Sequence, residues 1–307
     1  MHFYRRHQDQ LDSGGGKMVS TVLQGDKDPS LDQDREWLTK VTNGRYEVVR
    51  EIAQGGMSRV LLGLDLMLGR PVALKVLSSV SSANVEGRER FRREALITAK
   101  ADHPHIVPCY DFICDGARAV AVMRYVPGDS LEHRLTGTPL DPDMLLGILV
   151  PIADALAHMH QRGIIHRDVK PANILLRSGD DWPFLIDFGV ATLRTSDYSR
   201  FEATQRLGTP DFMSPEQALG AWDADHRSDI YSLGLVMYAG LAGSLPFRGS
   251  PLALAAQRTA FDVPPLRQSA PSVPKALAEI VDRCLAREPN RRWRDAATLG
   301  RALSRAA

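Results

Sequence analysis

The chain is short of cysteine, of net charge and of long uninterrupted apolar runs. Its three cysteines, Cys109, Cys114 and Cys284, are too few and too scattered for a disulfide framework, and they lack zinc-ligand spacing. A reducing compartment therefore fits best. The formal charge is only +1, which excludes a chain built as a polyanion binder, and nucleic acid is not an expected partner. Arg5 and Arg6 are followed by no apolar run, so no export signal is read at the N-terminus. The longest apolar tract, Ile230 to Phe247, is broken by Ser232, Ser244 and several glycines. It reads as a buried core helix, since a membrane span needs roughly 20 mostly apolar residues. These absences predict a cytoplasmic protein with no membrane segment.

The chain has 307 residues, 44% hydrophobic and 24% charged, enough for one large domain or two lobes. Residues 1–44 are polar and glycine-rich and read as a largely mobile arm. Inside it, Ser30 followed by Gln33 predicts a capping box for one short helix, with Trp37 and Leu38 as its apolar edge. Trp37 either packs on the following domain or serves as a regulatory docking residue.

From Arg45 the pattern is strand-like, with Gly55-Gly56 joining two strands; glycine lets backbone amides approach a phosphate without Cβ interference. The next strand, Pro71 to Leu77, alternates Val72, Leu74 and Val76 with Ala73, Lys75 and Leu77. A lysine among apolar neighbours needs an anion. Glu94 is the expected partner, on a helix from Arg88 to Lys100 whose inner face carries Phe91, Ala95 and Thr98; Glu89 is the competitor. Strands Ile106–Phe112 and Ala119–Met123 follow. Asp141-Pro142 opens a long helix that Gly163 stops and Pro151 is expected to kink. His158 and His160 on it lie two residues apart, not on one helical face, which argues against a metal pair.

The richest stretch is Ile164 to Leu176, where apolar runs bracket His166-Arg167-Asp168-Val169-Lys170-Pro171-Ala172-Asn173. A buried polar cluster is costly unless paired or used. A carboxylate, then a lysine two residues on and an asparagine five residues on, suits phosphoryl transfer: a base for a hydroxyl, a cation for a phosphate oxygen, an amide oxygen for a metal. Asp187-Phe188-Gly189 adds a second carboxylate of metal type after another apolar run. His166 reads as a packed core histidine rather than an acid or base.

In these motifs the sequence resembles the protein kinases, whose catalytic loop reads H-R-D-x-x-x-x-N and whose metal loop reads D-F-G. Lys170-Pro171 is similar to the serine/threonine branch. Together with Gln54-Gly55-Gly56-Met57 and Ser214-Pro215-Glu216-Gln217, the pattern resembles the bacterial Hanks-type kinases. The likeness covers about residues 45–305, with the motifs in family order. It departs from G-x-G-x-x-G, where Ala53 and Ser58 replace the first and third glycines.

The resemblance implies an α+β, bilobal fold: a domain over 45–307 with an N-lobe of about 45–123, a hinge at 124–128 and a C-lobe over 129–307. It implies ATP as cofactor with Mg²⁺, Mn²⁺ being an alternative ion, and protein substrates phosphorylated on serine or threonine. Nucleotide contacts would come from Ile52, Gln54, Gly55, Gly56, Val60, Ala73, Lys75, Met123 as gatekeeper, backbone groups of Arg124 and Val126, and Leu175 as the adenine floor. Asp168 would be the base, with Lys170 on the transferring phosphate, Lys75 paired to Glu94, and Asn173 and Asp187 on the metal. Glu216 would pair with Arg292, Arg291 being the runner-up; Asp229 would cap the catalytic loop; Thr209 would contact Asp168 and Lys170. Thr204 is the expected regulatory phosphorylation site, with Arg167 as the planar cation for its phosphate and a transient homodimer for autophosphorylation. A pseudokinase scaffold and a small-molecule phosphotransferase are the rival readings. The altered glycine turn is the only support for the first, against the retained Lys75, Glu94, Asp168, Asn173 and Asp187; the long loop ending in Ser214-Pro215-Glu216 argues against the second.

Overall fold

The computed structural model describes residues 29–55, 58–77, 85–188, 192–193, 210–220 and 224–306. The chain divides into two compact units, Met1–Ala99 with Pro108–Val126 and Lys100–Val107 with Pro127–Ala307.

The first unit is built on a five-stranded antiparallel sheet of order β1-β2-β3-β5-β4. Its strands are β1 (Tyr46–Gln54), β2 (Ser58–Asp65), β3 (Arg70–Leu77), β4 (Cys109–Asp115) and β5 (Arg118–Arg124), with helices α1 (Pro29–Val41) and α2 (Val85–Ala99). The period-2 alternation of β3 sorts its side chains between two apolar layers. Val72, Leu74 and Val76 join Val48, Leu61, Val120 and Val122 in a layer that contains Leu31, Trp37 and Leu38 of α1. Leu77 joins Ala119 and Ala121 in the other, with Phe91 and Ala95 of α2. One helix thus covers each face of the sheet.

The α1 layer corrects the reading of residues 1–44. Leu38 is fully buried, and Leu31 and Trp37 are nearly so, because β-branched residues on that sheet face need an apolar cover. Among the described residues, the helix Pro29–Val41 is therefore packed on the sheet rather than part of a mobile arm. The helix starts at Pro29, so Ser30 lies inside its first turn and is not its cap.

The second unit contains β6 (Gly128–Ser130), α3 (Pro142–Gln161), β7 (Ile164–Ile165), β8 (Ile174–Arg177), β9 (Pro183–Leu185), β10 (Thr192–Leu193), α4 (Pro215–Ala218), α5 (Arg227–Ala242), α6 (Pro251–Ala260), α7 (Leu266–Ser269), α8 (Lys275–Cys284) and α9 (Ala296–Ser304). Asp141 caps α3 by accepting from the Met144 amide at 3.0 Å, and Pro142 takes the first position. Pro151 lies inside the helix, which nonetheless runs unbroken to Gln161. By length and composition α3 could cross a membrane. Its apolar residues, among them Ile148, Leu149, Ile152 and Leu156, are instead buried in the core where it packs on α5 and α9. Helix α5 is buried from Ser228 to Leu241, which explains an apolar tract with no polar face. Gly243, at φ +70°, ends it.

Residues 100–107 belong to the second unit, although the sequence placed them in the N-lobe. Ile106 bridges to Leu185, the Leu185 amide donates to the His105 carbonyl at 2.8 Å, and the Val107 amide donates to the Leu185 carbonyl at 3.3 Å. The edge of β9 captures this loop, and β4 starts only at Cys109 rather than Ile106.

Candidate active site

In the first unit, strand register decides which side chains share a face. Val60 lies opposite Lys75, Ala73 opposite Met123, and Lys75 opposite Ala121. Paired residues point to the same side, so Val60, Ala73, Lys75 and Met123 form one row on the α2 side of the sheet. There the Lys75 ammonium meets Glu94 Oε1 at 2.5 Å, with side-chain exposures of only 11% and 10%. Of the two acidic candidates on α2, Glu94 is the partner; Glu89 instead accepts from Arg92 at 3.1 Å on the surface. Thr98 Oγ donates to the Glu94 carbonyl at 2.9 Å, one turn along. A small cavity beside the pair is lined by Phe91, Thr98, Cys109 and Met123.

The glycine turn is closed by the Gly55 amide, which donates to the Ser58 carbonyl at 2.8 Å. Ile52 is half-buried, and two register shifts interrupt β1 between Val48 and Arg50 and between Glu51 and Ala53. Gln54 pairs with Arg59, whose guanidinium reaches α1, so the Gln54 side chain is on the opposite face from Val60 and Lys75. Only the Gln54 backbone remains suited to the phosphate contact expected of it. The Arg124 amide donates to the Pro108 carbonyl at 3.1 Å. Val126 closes this unit, nearly buried. Gly56 lies outside the described residues.

In the second unit, Asp168, Lys170 and Asn173 form a tight cluster. Lys170 Nζ is 2.9 Å from Asp168 Oδ2. The Asn173 amide nitrogen donates to the same carboxylate at 3.0 Å and to the Asp168 carbonyl at 2.8 Å. Both bonds use the nitrogen, which leaves the amide oxygen as the group suited to a cation. Asn173 precedes β8 and Asp187 follows β9. The pairing Ile174↔Leu185, extended by the Ile186 amide donating to the Asn173 carbonyl at 3.0 Å, sets both at one end of a hairpin. Leu175 sits half-buried in β8, opposite Phe184.

Backbone strain concentrates here: Arg167 has φ +65° and Asp187 φ +69°. Such conformations in non-glycine residues cost roughly 1–3 kcal/mol each and persist only where the surroundings impose them. At Arg167 the imposing group is Asp229. Its fully buried carboxylate accepts from the His166 amide at 2.9 Å and the Arg167 amide at 2.8 Å, and it pairs with His160 Nε2 at 2.8 Å. Burial pushes this carboxyl up, but the His160 bond, the nearby imidazoles and the loop amides outweigh it, and the net shift is downward. His166 is fully buried against Phe188. Its Nδ1 accepts from the Asp168 amide at 3.2 Å, so the proton is on Nε2, 3.0 Å from the Ile186 carbonyl.

Helix α4 buttresses the loop. Ser214 and Gln217 form a reciprocal capping box, and Gln217 Nε2 also donates to the Arg167 carbonyl at 2.9 Å. The pattern Ser-x-x-Gln carried this signal in the sequence; His160 and Arg258 had none. Arg258, almost fully buried, donates to the Asp211 carbonyl. Arg167 Nη2 donates to the Ala224 carbonyl at 3.3 Å.

Glu216 pairs with Arg292, not Arg291. The contact is bidentate, at 2.7 and 2.8 Å. The remaining donors of the guanidinium reach the carbonyls of Ala286, Arg227 and Arg287, so all five of its N–H groups are used. Thr204 and Thr209 lie outside the described residues. Among the described residues no group of three or more His, Cys, Asp or Glu side chains could by itself hold a metal ion.

The first unit thus carries a buried lysine–glutamate pair on an antiparallel five-stranded sheet, and the second an Asp–Lys–Asn loop whose backbone Asp229 anchors. Residues 46–301 match the protein kinase domain family, and the chain belongs to that family. It is 39% identical over 273 residues to the serine/threonine-protein kinase pkn2 of Myxococcus xanthus, covering 87% of this chain and 33% of that protein. It is 38% identical over 259 residues to the serine/threonine-protein kinase PrkC of Bacillus subtilis, covering 84% of this chain and 40% of that protein. The chain thus spans well under half the length of either relative. Among solved structures, it is similar to the PknI kinase domain of Mycobacterium tuberculosis, with a TM-score of 0.67, 31% identity, and coverage of 86% of this chain and 96% of that one.

Proposed function

We propose that the chain transfers the γ-phosphate of ATP to serine or threonine hydroxyls of proteins, in the cytoplasm. The observation that carries this reading is the Asp168 carboxylate, held by both Lys170 and Asn173 on a loop whose backbone Asp229 anchors. A carboxylate so held can orient and accept the proton of an incoming hydroxyl, while Lys170 steadies the phosphate oxygens. Lys75, held by its pair with Glu94, is suited to the α- and β-phosphates. Backbone groups of Gln54 and Gly55 suit the same phosphates, with Ile52, Val60, Ala73 and Met123 of the first unit as apolar contacts for the base.

An amide oxygen and a carboxylate, at Asn173 and Asp187, form a hard oxygen donor set that suits Mg²⁺ completed by phosphate oxygens and water. When bound, the ion would neutralise charge building on the phosphates; Mn²⁺ would serve the same donors. The free thiols of Cys109, Cys114 and Cys284 accord with a reducing compartment. Autophosphorylation at Thr204, through a transient homodimer, is the regulatory part of the proposal.

The test incubates the purified chain with radiolabelled Mg·ATP and myelin basic protein, beside Asp168→Asn. Label entering protein with the unmodified chain alone is the expected result. Nucleotide binding without transfer by the unmodified chain would overturn the reading in favour of a scaffold. Mass mapping of the labelled chain should find phosphate on Thr204; phosphate elsewhere, with Thr204→Ala fully active, refutes that site.

A further inference from the structure

The matched family segment begins at residue 46, yet α1 begins at Pro29 and two of its adjacent residues grip both strands that flank the glycine turn. Arg35 reaches β1 at its first register shift, where Nε donates to the Val48 carbonyl at 3.4 Å and Nη2 to the Val49 carbonyl at 3.2 Å. Val49 has no partner in the β1–β2 register, and this guanidinium supplies a donor to its carbonyl as well as to that of Val48. Asp34, buried to 4% exposure, accepts from Arg59 of β2 and from Arg118 of β5. Arg59 sits directly after Ser58, the residue whose carbonyl closes the glycine turn, and its Nη1 is also 3.8 Å from Glu51 Oε2 of β1. Arg118 is itself fixed, donating to the Gln33 carbonyl at 3.3 Å and lying 4.4 Å over the Trp37 ring.

We infer that α1, outside the family segment, is a working part of the phosphate-binding turn: Asp34 and Arg35 are positioning residues that hold β1 and β2 in the register from which Gly55 meets a nucleotide. Ala53 and Ser58 stand where the family pattern has glycine, so the turn gains stiffness from its own residues and its aim from α1. The inference rests on the reading that this turn binds nucleotide.

The test uses the full chain and the variants Asp34→Asn and Arg35→Met, with Glu36→Ala, on the exposed side of α1, as control. Three quantities are read: the Kd of Mg·ATP by calorimetry, KM for ATP against kcat, and hydrogen exchange of the backbone amides over residues 50–60. Both variants should raise Kd and KM by about tenfold, the scale of one lost charge-assisted hydrogen bond, with kcat at saturating ATP nearly unchanged. They should also speed exchange in β1 and β2. Glu36→Ala should match the parent in all three. Unchanged Kd and unchanged exchange in both variants overturn the inference. So does a fall in kcat with constant KM, which reports only a smaller folded fraction. If Asp34→Asn does not fold, Asp34→Glu and Arg35→Met, which leaves the buried carboxylate paired, decide the matter. A parent chain that binds no nucleotide refutes the proposed function instead; hydrogen exchange still decides whether α1 holds the turn, and unaltered exchange overturns it.

Discussion

Arg292 gives the sharpest quantitative expectation, because its surroundings are fully specified. Arg292→Met keeps much of the buried volume and removes five hydrogen bonds, two to Glu216 and three to the carbonyls of Ala286, Arg227 and Arg287. Glu216 is left with Ser228 Oγ at 2.6 Å and a side chain only 14% exposed. Stranding one partner of a buried pair costs roughly 3–5 kcal/mol. That is a large part of the ~5–15 kcal/mol by which whole domains are stable. At about 2–4 °C per kcal/mol for a domain of a few hundred residues, Tm should fall by about 6–20 °C.

The assay is thermal and urea unfolding followed by circular dichroism, with two controls. Arg291→Met breaks only the exposed Arg291–Glu288 contact, at 73% and 51% side-chain exposure, and should shift stability by less than about 0.5 kcal/mol. The double variant Glu216→Leu with Arg292→Met removes the stranded charge and should be more stable than Arg292→Met alone, since an apolar replacement of both partners escapes the desolvation penalty. Equal losses for Arg291→Met and Arg292→Met would refute the argument. A double variant destabilised by the sum of its parts would refute it as well, by showing the two groups uncoupled.

Asp229 should make stability sensitive to acid. Its pKa is lowered in the fold, so its contribution is complete above the unfolded value, near 3.8, and is lost as pH falls through the folded value. Asp229→Asn should be less stable at neutral pH and show a flatter acid limb in urea titrations; an unchanged limb sinks the assignment. Gly128 sits at φ +140°, and a Cβ there would lie 2.0 Å from the Leu176 carbonyl oxygen. Gly128→Ala should therefore cost more than about 3 kcal/mol, and a Tm within 2 °C or so of the parent would contradict the β6–β8 pairing. Alkylation should distinguish the thiols: burial pushes Cys109 up to about 11 and Cys284 higher still, whereas Cys114 is exposed. Iodoacetamide at pH 8 should label Cys114 first by mass spectrometry, and early label on Cys284 would mean that its helix opens readily.

Short-range patterns explain why so much of the site was readable in the chain. The order His166, Asp168, Lys170, Asn173 is a local constellation, and its internal distances follow from one loop of backbone. Alternation in β3 placed Lys75 on the face opposite Val72 and Leu74, and helical spacing placed Glu94 beside Phe91 and Thr98. What the chain hid depends on long-range capture. Residues 106–107 look like the start of a strand, and only the edge of β9 turns them into a loop of the second unit. The polar composition of residues 1–44 outweighed Leu31, Trp37 and Leu38, because three apolar residues in a charged helix give a weak stripe. Their importance comes from the sheet: Val48, Leu61, Val72 and Leu74 form a face that would otherwise lie bare, and that is a property of the strands, not of the arm. The charged residues missed there follow the same logic. Asp34 reads as one more solvated acid until β2 and β5 bring Arg59 and Arg118, 25 and 84 residues away in sequence, to the same carboxylate. A buried charge identifies itself only through its partners, and when those come from other elements no window of sequence contains the evidence.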